Sequence, residues 1–509
     1  MVVIQEPLSA LLAILLLLYL MKRWWSHQHY PPGPLSLPII GSIWRIRFGI
    51  GLNERTMIKM SKQYGNVFTL WLGDMPIVLL SGFETVKEGL IDHSEELSGR
   101  ASSPYVKFIG KGKGITFSNG DLWKQQRRFA VGTMRKLGTG RKSMESQIEV
   151  DAQKLVEIFA REKGQPFDPA LPIINSVSNV TCIMLFGHRF PLEDENFKEL
   201  IDAIECTFKF GGSPVHILFE LFPWILKRLP GPHMKALESI KIMFSLGKKE
   251  ILKHKKKLSS REPQDFIDHY LLHIEKEQKN DPTSIFDEDN LAHCISDLFI
   301  AGTHISALFM QWAILLLTNR PYIQDKIIKE IDDVLGSSSI CYEDHKQLPY
   351  TNAVFHEIMR YRYVVLIGTG RQTTKDVNIG SFFIPKETVV IPDMYAILHD
   401  PQHWETPEEF NPNHFLDKDG NFVTRKEFLV FGAGARLCLG EHMGRMQYFL
   451  FLTSLLKAFH LQLPPGVKEL SEEIVIGTLL SPKPHKICAV PRESSSKSIQ
   501  NAIDSELTN

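Results

Sequence analysis

The chain has 509 residues, and 58 Lys and Arg balance 58 Asp and Glu, so its formal net charge is zero. That balance gives no reason to expect an acidic or basic partner, nucleic acid included, and the length suffices for a large core. The six cysteines (Cys182, Cys206, Cys294, Cys341, Cys438 and Cys488) lack C-x-x-C metal spacing. They read as reduced thiols of a cytosolic compartment, five as small buried hydrophobes and one as a ligand.

In chain order, residues 1–21 come first, uncharged from Pro7 to Met21 and nearly all aliphatic from Leu11 to Leu20. The run is about long enough to cross a hydrocarbon layer of roughly 30 Å. Lys22, Arg23, Trp24 and Trp25 follow, a basic and aromatic flank that predicts an uncleaved anchor with the next domain in the cytoplasm. A cleaved signal peptide is the alternative, opposed by the charges lying after the run and by the lack of a small-x-small cleavage site. Residues 22–37 form a basic, proline-rich hinge whose Tyr30-Pro-Pro-Gly-Pro34 is stiff and non-helical. Asn179-Val-Thr181 is a glycosylation sequon that a cytosol-facing domain would not expose to the transferase.

Val67 to Leu72 and Ile77 to Leu80 are β-prone runs separated by Gly73-Asp74-Met75-Pro76, a hairpin. Beyond about residue 85 the pattern is chiefly helical, with strand signals at Phe382 to Ile384, Val389 to Ile391 and around 460–490. The region 38–492 thus predicts a mainly α fold with a minor β portion, and 493–509 a polar, disordered tail. Ile217 to Leu226, followed by Lys227-Arg228, is strongly apolar. It reads either as a connector packed on the core or as a membrane-facing segment.

The most informative stretch is Phe431-Gly-Ala-Gly434-Ala-Arg436-Leu-Cys438-Leu-Gly440. Its glycines let backbone amides crowd the sulfur and favour thiolate, and a helix starting at the cysteine would add its positive end. A thiolate in an apolar pocket with a nearby Arg is what a sulfur-ligated haem iron requires. The segment resembles the haem-binding signature of cytochromes P450, Phe-x-x-Gly-x-Arg-x-Cys-x-Gly, and the resemblance covers residues 31–492. It implies haem b held on iron by Cys438, with Phe431, Arg436 and Gly440 as cofactor-binding residues.

Further motifs fall where that family has them. Glu357-Ile-Met-Arg360 puts acid and base on one helical face, and Phe410-Asn-Pro-Asn-His414 follows. Alone the pair reads as a surface salt bridge. The resemblance implies a buried network of Glu357, Arg360 and His414 serving folding and haem retention. Trp123 and Arg127 are pure donors one helical turn apart, fit for a haem propionate. Arg100 and Arg371 match further propionate positions. The basic run Lys124, Arg128, Arg135, Lys136, Arg141 and Lys142 is either a solvated face or, as the resemblance implies, a dock for NADPH-cytochrome P450 reductase and cytochrome b5.

Ala301-Gly302-Thr303-His304-Ile305-Ser306 resembles the family's distal helix, but His304 stands where the family has an acid and Ile305 where it has the oxygen-facing threonine. Gly302 would let oxygen and substrate approach, lacking a Cβ. Isoleucine has no donor or acceptor to order a proton relay, while His304 could carry a proton near neutral pH. Gly302, Thr303, His304, Ile305 and Cys438 are thus the expected catalytic positions. By position the pocket is lined by Phe108, Phe117, Phe299, Ala301, Leu366, Ile367, Thr478 and Leu479, mostly apolar, so a lipophilic substrate follows.

The pattern is closest to microsomal family 2, which implies a monooxygenase of the endoplasmic reticulum membrane, facing the cytosol, acting on a xenobiotic, fatty acid or steroid. Two alternatives rest on Ile305. One is an isomerase or dehydratase of lipid peroxides and endoperoxides; the other is a catalytically silent haem or lipid-binding membrane protein.

Overall fold

The computed structural model describes residues 2–42, 44, 54–138, 144–257, 262–281, 284–365 and 370–493. Arg141, Lys142, Leu366, Ile367 and all of the expected tail beyond Glu493 lie outside the described residues. The chain divides into two compact units. One comprises Met1–Ala101, Ile367–Ile397 and Gly432–Arg436, the other Ser102–Leu366, Leu398–Phe431 and Leu437–Asn509.

In the first unit, a helix over Val2–Gln28 carries the apolar run. It continues beyond residue 21, so the start of the expected hinge is helical; no Gly or Pro interrupts the chain between Leu8 and Gln28. Leu11 and Ile14 to Leu18 are each more than half exposed. The prolines that follow dock on a sheet, with Thr69 N donating to Pro32 O at 2.9 Å. The strands are β1 (Val67–Leu72), β2 (Met75–Leu80), β3 (Arg371–Gln372), β4 (Val377–Ile379), β5 (Phe382–Ile384) and β6 (Val389–Pro392). β1 and β2 form the expected hairpin, its turn tightened to Gly73-Asp74 because Leu72 pairs Met75 and Gly73 takes φ 63°. β6 runs parallel to β2 and antiparallel to β3, giving the order β1-β2-β6-β3, while β4 and β5 make a separate hairpin. Met57 and Met60 of the helix Glu54–Tyr64 pack on Phe68, Leu70 and Leu79 to close this core.

The second unit is chiefly helical. Its centre is one long helical element, Glu288–Ile300, a π-helical turn Ala301–Ile305, then Ser306–Thr318. Among the described residues Glu288–Thr318 is the helix long and apolar enough to span a membrane, but 72% of its apolar window is buried, which marks a core helix. The helix Ala170–Phe186 packs beside the π-helical turn. Its Asn179 is buried and donates to Phe190 O at 2.9 Å, so the sequon is closed to a transferase. Two small sheets complete the unit, β7 (Phe459–Gln462) with β10 (Cys488–Pro491) and β8 (Ile474–Ile476) with β9 (Leu480–Pro482).

Two expectations need correction or division. Cys341 is exposed and Cys206 half-buried, so not all five remaining cysteines act as core hydrophobes; the Cys341 backbone N–H bonds to Asp344 at a surface turn. The apolar connector divides between its two readings: Phe219 is fully buried, while Trp224 and Leu229 are 65% and 50% exposed.

Candidate active site

The cysteine segment folds through backbone constraints. Cys438 N donates to Phe431 O at 3.0 Å, and Gly432 and Gly434 take φ of 78° and 70°. A Cβ on Gly434 would strike the Leu90 carbonyl, so close backbone approach demands glycine there. The following helix spans Glu441–Ala458 with Gly440 as its N-cap, so it begins after the cysteine rather than at it. The Cys438 side chain reaches solvent. Burial nevertheless pushes its thiol up, opposed by the Gly440 N–H and the Arg127 charge. The Gly440 amide thus favours the thiolate as expected, with burial the larger opposing effect. A bound metal cation would supply the missing charge, since a coordinating thiol is deprotonated outright.

Donors for an anionic cofactor are present in each unit. In the second, Trp123 is buried and Arg127 Nη2 donates to Leu437 O at 2.6 Å, both on the helix Gly120–Leu137. Burial lowers the Arg127 pKa, and Cys438 raises it. In the first, Arg436 Nε donates to Ser98 O at 2.7 Å and Arg100 Nη1 to Gly370 O at 3.0 Å. Arg100, Arg371 and Arg436 are each buried. Buried guanidiniums, two of them held by neutral carbonyls, are a donor set suited to carboxylates, and a thiol beside a cationic donor suits a metal. The residues fit a haem with a sulfur ligand.

Glu357, Arg360 and His414 do come together, all within 1% of full burial. Arg360 makes a two-pronged pair with Glu357 at 2.7 and 2.8 Å, and its remaining N–H groups reach Leu398 O, Pro407 O and Glu409 O. His414 Nε2 accepts from Thr406 N at 3.2 Å, so Nδ1 is the nitrogen that donates to Glu357, 3.2 Å away. The surface salt-bridge reading is excluded for this pair.

The distal turn departs from the sequence expectation twice. A Cβ on Gly302 would lie 2.5 Å from Thr181 Oγ1, so glycine is required by packing on the helix Ala170–Phe186 rather than by ligand approach. His304 is buried and stacked on Phe208 at 5.2 Å, and burial depresses its pKa to about 4. It is neutral near pH 7 and is not the proton carrier expected. Thr303 Oγ1, Thr181 Oγ1 and His304 Nδ1 are buried with no protein partner among the described residues.

The pocket positions scatter in role. Ala301 is exposed and Ile305 half-exposed on the π-helical turn, whereas Phe299 turns into the core against Phe186. Phe108 and Phe117 are half-buried, and Gly110 leaves room for Phe117 at the end of the helix Pro104–Gly110. Thr478 Oγ1 donates to Phe208 O at 3.0 Å, and Leu479 beside it is buried. Sequence motifs missed Phe208, which touches both His304 and Thr478. They also missed Asp297, whose carboxylate accepts from Ile115 N and Thr116 N at 2.7 and 2.9 Å. No local signal marks either residue, because each acts through a partner far away in the chain.

The cytochrome P450 family model matches residues 31–489. The chain is 37% identical to cytochrome P450 2J5 of Mus musculus over 487 residues, covering 95% of this chain and 96% of the relative. It is 38% identical to human cytochrome P450 2J2 over 469 residues, 91% and 92% of the two chains. To human cytochrome P450 2C8 it is 37% identical over 492 residues, 96% and 100%. With this agreement spanning the cysteine segment, the buried triad and the long distal helix, the chain belongs to the cytochrome P450 family.

Proposed function

We propose that Cys438 would supply the sulfur ligand of haem b in a monooxygenase that hydroxylates or epoxidises a lipophilic substrate with dioxygen and electrons from NADPH-cytochrome P450 reductase. When bound, haem b supplies the redox-active iron at which dioxygen is reduced and cleaved. The observation that carries this reading is the setting of Cys438, whose thiol lies between the Gly440 N–H and the Arg127 charge on a backbone tied to Phe431. Trp123, Arg127, Arg100, Arg371 and Arg436 supply donors for the propionates, and the Glu357–Arg360–His414 network stabilises the fold behind the cofactor.

On the distal side the chain's task is to move protons and exclude bulk water. Ile305 offers no hydrogen bond and His304 stays neutral near pH 7. The Thr303 hydroxyl, without a protein partner among the described residues, is the group left to orient a proton-donating water. Ala301, Ile305, Phe108, Phe117, Thr478 and Leu479 are mostly apolar pocket positions, which favours a xenobiotic, fatty acid or steroid. Lys124, Arg128, Arg135 and Lys136 are exposed on one helix, a face suited to an acidic reductase or cytochrome b5. Residues 1–21 act as the anchor in the endoplasmic reticulum membrane and the segment after the helix, 29–37, as the hinge, with the catalytic domain 38–492 in the cytosol. Exposed Leu11 and Leu15 to Leu18, and Trp224 beside Lys227, support membrane contact at those points.

The test is product formation from a lipid and steroid panel by the full chain with NADPH and reductase. Reductase-dependent product is expected. Turnover of a lipid hydroperoxide without reductase or dioxygen would replace this reading with the rearrangement one.

A further inference from the structure

The helix Glu195–Gly211 ends against two other segments of the second unit, and Phe208 touches both. Its carbonyl accepts from Thr478 Oγ1 at 3.0 Å and from Thr478 N at 3.3 Å, in the turn between β8 and β9. Its ring stacks on His304 of the π-helical turn, with 5.2 Å between ring centres and 24° between planes.

The fit at the helix end is close. A Cβ on Gly211 would strike Thr478 Oγ1, and one on Gly212 would strike the Gly477 backbone, so glycine is what lets these backbones approach. The β8–β9 turn is itself fixed. Leu480 N donates to Val364 O at 2.8 Å, and Leu480 O accepts from Trp312 Nε1 at 3.0 Å on the long helix. His304 is buried, and as a neutral ring it offers Phe208 a flat partner. An acid, which stands here in the family pattern, has no ring to stack, and burying its charge is costly.

We propose that His304 is a positioning residue: by stacking on Phe208 it holds the end of the helix Glu195–Gly211 between the distal turn and the β8–β9 turn. It thereby fixes the spacing of Ala301 and Ile305 on one side from Thr478 and Leu479 on the other. This role rests on the haem-thiolate reading above only in taking those four as pocket positions. The ring acts through its shape, so an aromatic side chain without nitrogen should replace it.

The test uses the full haem-loaded chain without NADPH or reductase. It reads hydrogen exchange by mass spectrometry, together with titrations of two iron-binding azoles, imidazole and the bulky clotrimazole. In His304→Ala, amides of 205–213 and of 476–480 should both exchange about fivefold faster, the loss of one aromatic pair. The ratio of clotrimazole to imidazole affinity should change by a similar factor. His304→Phe, which keeps a ring and removes the nitrogens, should restore both readouts. Unchanged exchange at 476–480 in His304→Ala, an unchanged affinity ratio, or His304→Phe behaving as His304→Ala overturns the proposal. Should His304→Ala fail to fold, Phe208→Leu against Phe208→Tyr makes the same comparison from the other ring. Should the wild type lack the carbon monoxide difference band, the haem reading fails, and the exchange comparison, which needs no haem, decides the stack alone.

Discussion

The triad of Glu357, Arg360 and His414 and the distal turn Ala301–Ile305 both lie in the second unit, yet their polar accounts differ. In the triad each side chain has partners: Arg360 reaches three backbone carbonyls as well as Glu357, and Glu357 also accepts from Asn411 N. At the distal turn, Thr303, His304 and the neighbouring Thr181 each keep a buried polar atom without a protein partner among the described residues. A buried network that closes on itself stabilises a fold; buried groups left open are places where water or a ligand belongs. Structure is thus the expected role of the first region and chemistry that of the second, and variants at Cys438, Glu357, Gly302 and His304 probe this.

The largest effect belongs to the sulfur. Cys438→Ala removes the ligand, so the haem-thiolate absorption should vanish and turnover with it; a retained spectrum would refute the assignment. Next comes Glu357→Ala, which strands a buried guanidinium. Breaking such a pair costs about 3–5 kcal/mol, so the yield of carbon monoxide-binding protein should collapse. Haem-loaded protein of normal denaturant resistance would show that the triad is not structural.

Gly302→Ala is smaller. The new methyl meets Thr181 Oγ1, and such overpacking costs about 1–3 kcal/mol in denaturation midpoint terms. Thr181→Ala on the same background should restore much of the loss, because the nearest clashing atom is gone; additive losses in the double variant would contradict the packing account. The smallest effect is electrostatic. His304 has a folded pKa of about 4 against 6.5 when unfolded, so between those values the unfolded chain binds the extra proton. Stability is then whole above pH 6.5 and falls as the pH drops toward 4. Going from pH 7 to 5 this one group costs on the order of 2 kcal/mol. The urea midpoint of His304→Gln should therefore decline less than that of the wild type over this interval; parallel declines would mean that His304 is not held neutral.

Much of the protein was legible in its sequence where signals are local. The Val67–Leu80 hairpin follows from β-prone runs around Gly73, and the cysteine segment from fixed residue types at fixed spacing. The triad needed a resemblance, because i, i+3 spacing alone does not tell buried from exposed. What stayed hidden depends on partners distant in the chain. Gly302 seemed open to a ligand until Thr181 faced it, and His304 seemed titratable until Phe208 covered it. The π-helical turn has no composition of its own.

The central claim is that the cysteine region fixes the cofactor and the distal turn, despite Ile305, still sustains oxygen activation. The most direct test is isotopic: turnover under ¹⁸O₂ with NADPH and reductase, comparing wild type with Ile305→Thr. One labelled oxygen atom should appear in the wild-type product, with less product per NADPH than in Ile305→Thr. Unlabelled product formed from a lipid hydroperoxide without reductase would contradict the account.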